Sequence, residues 1–363
     1  MGSNLPQQLE SLTAGWLSDH MSPLYPGLVV HKMEIVEVIH GTTTKIRIRV
    51  DMNAAGKAAG IPEHLCIKSN YEEHAETTLS YHLYDTEALF YRDLRGELPL
   101  PAPKAWFAEP DPETAQGIIV MEDLAVAGAR FGKNTEPLTV DEAAACLDDF
   151  SILHAQWWDS RELDRLDWLQ VSHDANGGLD LGRVQRFGGP EGVRHLMTFD
   201  DRRAAVMSDH VKDPERFIAA YLSLLAHETA LDAPRCLIHG DTHLGNSYRL
   251  ADGTLRWLDW QLIRKGRPMR ELSYFLSNAL TVDDRRASER HLIRHYLHAL
   301  SARGIEAPGF DEFWDSYRWW PIFNLWCWLV SYDDRQPHEV NIETLRRHAA
   351  ALDDMDTYRV LGV

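Results

Sequence analysis

The chain has 363 residues, of which 44% are apolar and 25% charged, and its net charge is −18 at neutral pH. That length allows two or three units, each large enough for its own core. The acidic balance, with no basic block, excludes nucleic acid as the main partner, though one local lysine and metal ions can still hold the phosphates of a nucleotide. Cys66, Cys146, Cys236 and Cys327 are far apart, fall inside apolar patterns and make no CxxC spacing, which predicts reduced, buried thiols. There is no signal architecture at the N-terminus. The longest apolar stretch, WWPIFNLWCWLV at 319–330, is too short for a membrane span. A cytoplasmic, soluble, enzyme-sized chain is expected.

In chain order, residues 5–20 predict an amphipathic helix through Leu9, Leu12 and Trp16. KMEIVEVI (32–39), a turn at His40–Thr44 and KIRIRVDM (45–52) predict a hairpin. Its second strand alternates Ile46, Ile48, Val50 and Met52 with Lys45, Arg47, Arg49 and Asp51. NAAGKAAG (53–60) looks like a flexible connection, and HLCIKS (64–69) is a third strand ending on a lysine. From Tyr71 to Arg95 the pattern turns helical, with an apolar stripe through Leu83, Phe90 and Leu94 on which Glu87 also lies. Pro99, Pro101 and Pro103 then break the chain. KAWFAE (104–109) and GIIVME (117–122) predict another strand pair.

After Asp123 the chain becomes mostly helical. TVDE at 139–142 has capping-box spacing, followed by a buried face of Ala143, Leu147, Phe150, Ser151, His154 and Trp158. Residues 160–213 give no clear periodicity. A helix is expected over about 214–229. Short strands at 235–238, 246–250 and 255–259 surround the octapeptide HGDTHLGN (239–246), with Asp252-Gly253 as a turn signal. Helices fill most of 268–303 and 309–356. The fold class is therefore α+β. An N-terminal lobe at 1–122 has a small antiparallel sheet and one main helix, a hinge lies at about 121–127, and a larger, mostly helical C-terminal lobe covers 128–363. Two lobes of this kind suggest a cleft between them.

Phosphoryl transfer needs few parts: a base to orient a hydroxyl, carboxylate and amide ligands for Mg²⁺, and a lysine on the phosphates. The octapeptide holds Asp241 and Asn246, Asp259 follows on the next hairpin, and Lys68 and Glu87 lie upstream. This set, in this order, resembles the protein-kinase-like superfamily. Within it the chain is most similar to the small-molecule branch of aminoglycoside phosphotransferases, choline kinases and ecdysteroid-kinase-like proteins. The resemblance runs through LCIK (65–68), EALFYRDL (87–94), IIVMEDL (118–124), SILHAQWW (151–158), IHGDTHLGN (238–246) and LDWQ (258–261). It implies a bilobal protein-kinase-like fold and ATP and Mg²⁺ as cofactors. It makes Asp241 the base for the acceptor hydroxyl, Asn246 and Asp259 the Mg²⁺ ligands, Lys68 the phosphate contact and Glu87 its ion-pair partner. The turn of Gly41, Thr42, Thr43 and Thr44 would cover the phosphates, and Met121, Glu122 and Leu124 would form the hinge whose backbone binds adenine. Glu72, Glu73 and Glu76 could replace Glu87 but look like ordinary first-turn acids. His239 supports the loop; His243 could touch Mg²⁺-bound water, touch substrate or fold the loop.

Two departures refine the class. Gly240 stands where protein kinases carry an arginine that docks a phosphorylated activation loop, and Pro268 comes only nine residues after Asp259, too soon for a peptide-docking segment. A small-molecule hydroxyl, not a protein, is the expected substrate. Glu271 stands where many relatives have aspartate, which leaves its role open.

Three other functions compete. A metal-dependent hydrolase would use His239, Asp241 and His243 as ligands, completed by His210, His227 or His291, but leaves Asn246 and Asp259 idle. A non-catalytic kinase-like binding protein has no use for the full set of charged residues. An antibiotic phosphotransferase would bind a polycation through Asp311, Glu312, Asp315, Asp333 and Asp334. The tryptophans of the helical part (Trp157, Trp158, Trp314, Trp319, Trp320, Trp326, Trp328) are core by default; Trp319, Phe323, Trp326 and Val330 share a helical face. If some line the acceptor pocket, they favour a hydrophobic alcohol or a quaternary ammonium.

Overall fold

The computed structural model describes residues 5–71, 82–171, 189–331 and 336–363. The chain divides into two compact units, one of residues 1–130 with 248–262, the other of residues 131–247 with 263–363.

The first unit is built on a five-stranded antiparallel sheet of β1 (Val30–Ile39), β2 (Thr44–Met52), β3 (His64–Ser69), β4 (Ala105–Asp111) and β5 (Gln116–Glu122), in the order β1-β2-β3-β5-β4. The alternation in β2 sorts its side chains. Ile46, Ile48 and Val50 are buried with Leu65 and Ile67 of β3 and Ile118 and Val120 of β5. Leu17 and Met21 of helix α1 (Ala14–Met21) join this core, so the helix closes the apolar side of the sheet. Lys45, Arg47 and Lys68 fall on the opposite side, because Lys45 pairs directly with Lys68 and Arg47 with Cys66.

Three expectations need correction here. The single helix over 5–20 is a 3-10 turn at Leu9–Ser11 followed by α1, because the Thr13 side chain accepts the Trp16 N–H and restarts the helix. The stretch 53–60 is no loose connection but a short helix α2 (Ala54–Ala58), capped by Asn53 Oδ1 on Gly56 N–H at 3.2 Å. Tyr71 lies outside any helix. The helix carrying Glu87, α3 (Leu83–Leu89), runs on into a π-helical turn at Phe90–Leu94. Glu72, Glu73 and Glu76 lie outside the described residues.

In the second unit, helix α4 (Val140–Gln156) starts at the expected capping box of Thr139 and Glu142. The other helices are α5 (Gly189–Thr198), α6 (Asp201–Ala205), α7 (Pro214–Ala230), α8 (Pro268–Ala279), α9 (Val282–Ala302), α10 (Phe310–Tyr317), α11 (Pro321–Leu329), α12 (His338–Asp354) and α13 (Thr357–Val360). Every residue of α8 is buried. β6 (Cys236–Ile238) pairs antiparallel with β7 (Arg264–Gly266), which fixes where the octapeptide leaves the core. No helix among the described residues is long and apolar enough to cross a membrane.

Helix α3 lies so close to the sheet that a Cβ at Gly117 of β5 would stand 2.2 Å from the Tyr84 carbonyl oxygen. This backbone cannot yield as a side chain tip could. Gly117→Ala is expected to destabilise the protein by about 1–3 kcal/mol through overpacking, read as a lowered urea midpoint. An unchanged midpoint would show that the helix can stand off without cost.

Candidate active site

In the first unit, Lys68 Nζ lies 2.6 Å from Glu87 Oε2 and 2.8 Å from Asp259 Oδ1. All three side chains are buried or nearly so. Burial opposes the Lys68 ammonium, but Asp259 and Glu87 outweigh it and hold its pKa above the ordinary lysine range. Burial pushes the Glu87 carboxyl up, and Lys68 pulls against that. The other Glu87 oxygen accepts the Trp260 N–H at 3.2 Å, and the Trp260 ring stacks on Phe90 at 4.7 Å. The hairpin end that carries Asp259 is therefore tied to α3 by both backbone and ring. Asp259 itself has a left-handed backbone, φ 65°.

The turn at Gly41–Thr44 is held from behind. The Tyr84 hydroxyl donates to the Thr42 carbonyl at 2.9 Å, and Thr44 Oγ1 accepts the Tyr71 N–H at 3.1 Å. Thr43 is buried and its hydroxyl has no hydrogen-bond partner among the described residues. An orphan donor beside a glycine turn fits a phosphate oxygen. At the end of β5, the Glu122 N–H already donates to the Lys104 carbonyl at 2.9 Å, and Lys104 N–H donates to Glu122 Oε1 at 2.8 Å. Glu122 can therefore offer a base only its carbonyl. The Leu124 carbonyl accepts the Ala129 N–H, and Met121 is a buried strand residue facing the Cys66 position. Asp123 accepts the Ala125 N–H and the Arg47 Nε, the latter at 2.9 Å.

In the second unit the octapeptide is a rigid loop. Asn246 Nδ2 donates to Asp241 Oδ2 at 2.9 Å and to its carbonyl at 3.1 Å, and the Asn246 amide oxygen takes no part in either bond. Asp241 N–H donates to Nδ1 of the buried His239 at 3.2 Å, which makes His239 a loop support. Gly240 has φ 85°, a conformation an arginine rarely adopts. Its N–H donates to Glu271 Oε1 at 2.8 Å, while Glu271 Oε2 lies 2.8 Å from His154 Nε2. His154 Nδ1 meets the Tyr296 hydroxyl at 2.7 Å. The longer carboxylate at position 271 thus bridges the loop to α4 and α9, two helices away. His243 Nδ1 lies 3.2 Å from Asn134 Oδ1, an oxygen that also accepts the Gly245 N–H, so His243 donates there. Its Nε2 faces Asp241 Oδ2 at 3.8 Å.

Beside Asp241 lies an aromatic group. Burial and then Asp241 push the Tyr274 hydroxyl pKa well up, and Trp328 Nε1 donates to that hydroxyl at 3.0 Å. Trp328 also meets the His243 ring edge-on at 5.4 Å. The tryptophans, though mostly buried, differ in their neighbours: Trp328 meets Tyr274 and His243, whereas Trp326 packs on Phe217 and Tyr221 in the core. Trp157 and Trp320 are also core, and Trp319 covers His227. Periodicity alone could not assign Trp328, nor find Asn134 and Tyr274, which reach the loop from remote segments. Asp311, Glu312 and Asp315 are exposed on α10, and Asp333 and Asp334 lie outside the described residues. Among the described residues no group of three or more His, Cys, Asp or Glu side chains could hold a metal ion alone. The set of His239, Asp241 and His243 does not converge, because the first and third are spent on the loop.

Residues 41–304 match the model of the ecdysteroid kinase-like family. The chain belongs to that family. This ecdysteroid kinase-like protein also shares its fold with the phosphotransferase APH(2")-IIia, solved as a GDP and kanamycin complex, at 10% identity and TM-score 0.50, over 95% of this chain and 99% of that one. Plasmodium vivax ethanolamine kinase matches at 11% identity and TM-score 0.49, over 90% and 83%. The choline kinase LicA from Streptococcus pneumoniae matches at 13% and 0.44, over 93% and 98%. No curated protein matches. The fold is α+β and protein-kinase-like, and the family is one of kinase-like small-molecule phosphotransferases, as the motifs implied.

The buried His348 gives a pH test. Its Nδ1 lies 2.9 Å from Ser277 Oγ, whose proton goes to the Ser273 carbonyl, so His348 is neutral with Nδ1 protonated. Burial, then Arg347, His243 and Arg285, lower its pKa to about 3. A depressed histidine pKa means the unfolded chain takes up the proton first. Stability from this group is therefore complete above about pH 6.5 and is lost as the pH falls toward 3. Unfolding midpoints should drop through that window, and His348→Leu should flatten the drop. An equal slope in the variant would assign the loss elsewhere.

Proposed function

We propose that the protein is an ATP-dependent phosphotransferase that moves the γ-phosphate to a hydroxyl of a small, hydrophobic alcohol. The observation that carries this reading is the Lys68 ammonium, buried yet held by Glu87 at 2.6 Å and Asp259 at 2.8 Å. A cation kept charged at such cost suits polyphosphate binding better than stability alone. Family membership over residues 41–304 supports the same reading.

In this mechanism Lys68 contacts the α- and β-phosphates and Glu87 keeps it oriented. Gly41, Thr42, Thr43 and Thr44 cover the phosphates, with the Thr43 hydroxyl donating to an oxygen. The backbone of Met121, Glu122 and Leu124 receives the base, Glu122 through its carbonyl. Asn246 offers an amide oxygen and Asp259 a carboxylate, hard donors of the kind Mg²⁺ selects. When bound, the ion neutralises phosphate charge. Asp241 accepts a hydrogen bond from the substrate hydroxyl, aligns its oxygen in line with the γ-phosphorus and receives the proton as the new P–O bond forms, while the bond from the γ-phosphorus to the β,γ-bridging oxygen breaks and ADP leaves. Asn246 holds Asp241 by its Oδ2, and the Tyr274 hydroxyl is hydrogen-bonded to the same carboxylate, so both fix its orientation toward the substrate hydroxyl. Tyr274 beside Asp241, with Trp328 on its hydroxyl, gives this end of the loop an aromatic character that supports an acceptor with an apolar body.

Asp241→Asn should lower turnover by about 10²–10⁴-fold, the usual share of a general base, while ATP affinity stays near wild type. Full turnover in the variant would remove Asp241 from that role. Lys68→Ala should raise KM for ATP and lower kcat; wild-type kinetics would refute its phosphate contact. The acceptor is found by incubating the protein with ATP, Mg²⁺ and a panel of sterols, terpenoid alcohols, choline and aminoglycosides, then reading phosphate adducts by mass spectrometry. A phosphorylated aminoglycoside with no apolar alcohol modified would overturn the acceptor class.

A further inference from the structure

Three cations project from the same side of the sheet in the first unit, and they are treated differently. Lys68 has two carboxylates, Glu87 and Asp259. Arg47 also has two, Asp123 at 2.9 Å and Glu37 at 2.6 Å. Lys45 has none among the described residues, and its ammonium donates only to the Thr43 carbonyl, at 3.5 Å. Yet Lys45 is directly opposite Lys68 across the β2–β3 ladder, so two ammonium-bearing side chains share one cross-strand pair. Like charges so placed repel, and burial followed by Lys68 pushes the Lys45 pKa down. The Lys45 Nζ also sits beneath the glycine turn, 3.7 Å from where a Cβ on Gly41 would lie.

We infer that Lys45 is a second phosphate-binding lysine, with its ammonium reserved for the terminal phosphates of a nucleoside di- or triphosphate under the Gly41–Thr44 turn. Among the described residues no carboxylate neutralises it, and the ligand would bring that charge. Lys68, by contrast, is already neutralised by its two carboxylates and cannot on its own balance a polyphosphate. The orphan hydroxyl of Thr43, whose own carbonyl Lys45 touches, points to the same occupant. This inference rests on the phosphotransferase reading and names a residue that the motifs did not single out.

The test is calorimetric titration of the full chain with adenosine, AMP, ADP and ATP, with Lys45→Met and Lys45→Arg beside wild type. Lys45→Met should lose about tenfold or more in affinity for ADP and ATP, the size of one charge-assisted hydrogen bond, and little for adenosine. Lys45→Arg should recover part of it. A purely structural lysine would destabilise the free protein when removed. Here Lys45→Met should instead hold or raise the thermal midpoint without nucleotide, because it relieves the repulsion from Lys68, and should gain less from added ADP. Wild-type affinity for ADP and ATP in Lys45→Met overturns the inference and leaves the phosphotransferase reading standing. A wild-type chain that binds no nucleotide overturns both.

Discussion

The buried ammonium of Lys68 is the constraint from which the first unit is organised. An unpaired charge there would cost far more than one ion pair returns, and removing one partner of such a set costs about 3–5 kcal/mol. The fold meets this demand with carboxylates from two remote segments, Glu87 on α3 and Asp259 at the end of a hairpin that re-enters the unit after more than a hundred intervening residues. Secondary consequences follow. The helix must lie close to the sheet, which requires the bare Cα of Gly117. The hairpin must be locked to the helix, which the Trp260 N–H and the Phe90–Trp260 stack provide.

The second unit solves a different problem, the rigidity of a loop that owns little secondary structure. Most of its residues are buried, and their polar backbone groups must be partnered. They find partners one by one: Glu271 takes Gly240, Asn134 takes Gly245, and Asn278 takes Leu244 at 2.9 Å. Each anchor is itself fixed, Glu271 by His154 and Asn278 by the fully buried α8. A side chain carried on such a loop is held in place by these anchors while staying partly exposed.

Much of this was legible in the sequence where a local pattern had one physical solution. The alternation of β2 fixed its two faces, the TVDE box set the start of α4, and a carboxylate on an apolar stripe demanded a partner; that the partner is Lys68 was implied by the family resemblance. Local signals failed where the deciding contact was remote. NAAGKAAG looked loose because its cap is a single asparagine, and the long helical pattern from Tyr71 could not show that the helix carrying Glu87 begins at Leu83. Glu271 was noticed for its extra methylene, but only the distance it spans explains that length. Asn134, Tyr274 and the setting of Lys45 depend on tertiary register or packing, which no window of sequence contains.

Asp259 shows how tightly one position can be specified. Its backbone is left-handed, a region open chiefly to glycine, asparagine and aspartate. Its side chain must also bring a negative charge to Lys68. The two requirements arise independently, one from chain geometry and one from electrostatics, and each tolerates several residues. Among the residues that enter this region readily, aspartate alone carries a negative charge. Aspartate here thus meets both the bend of the chain and the charge beneath it.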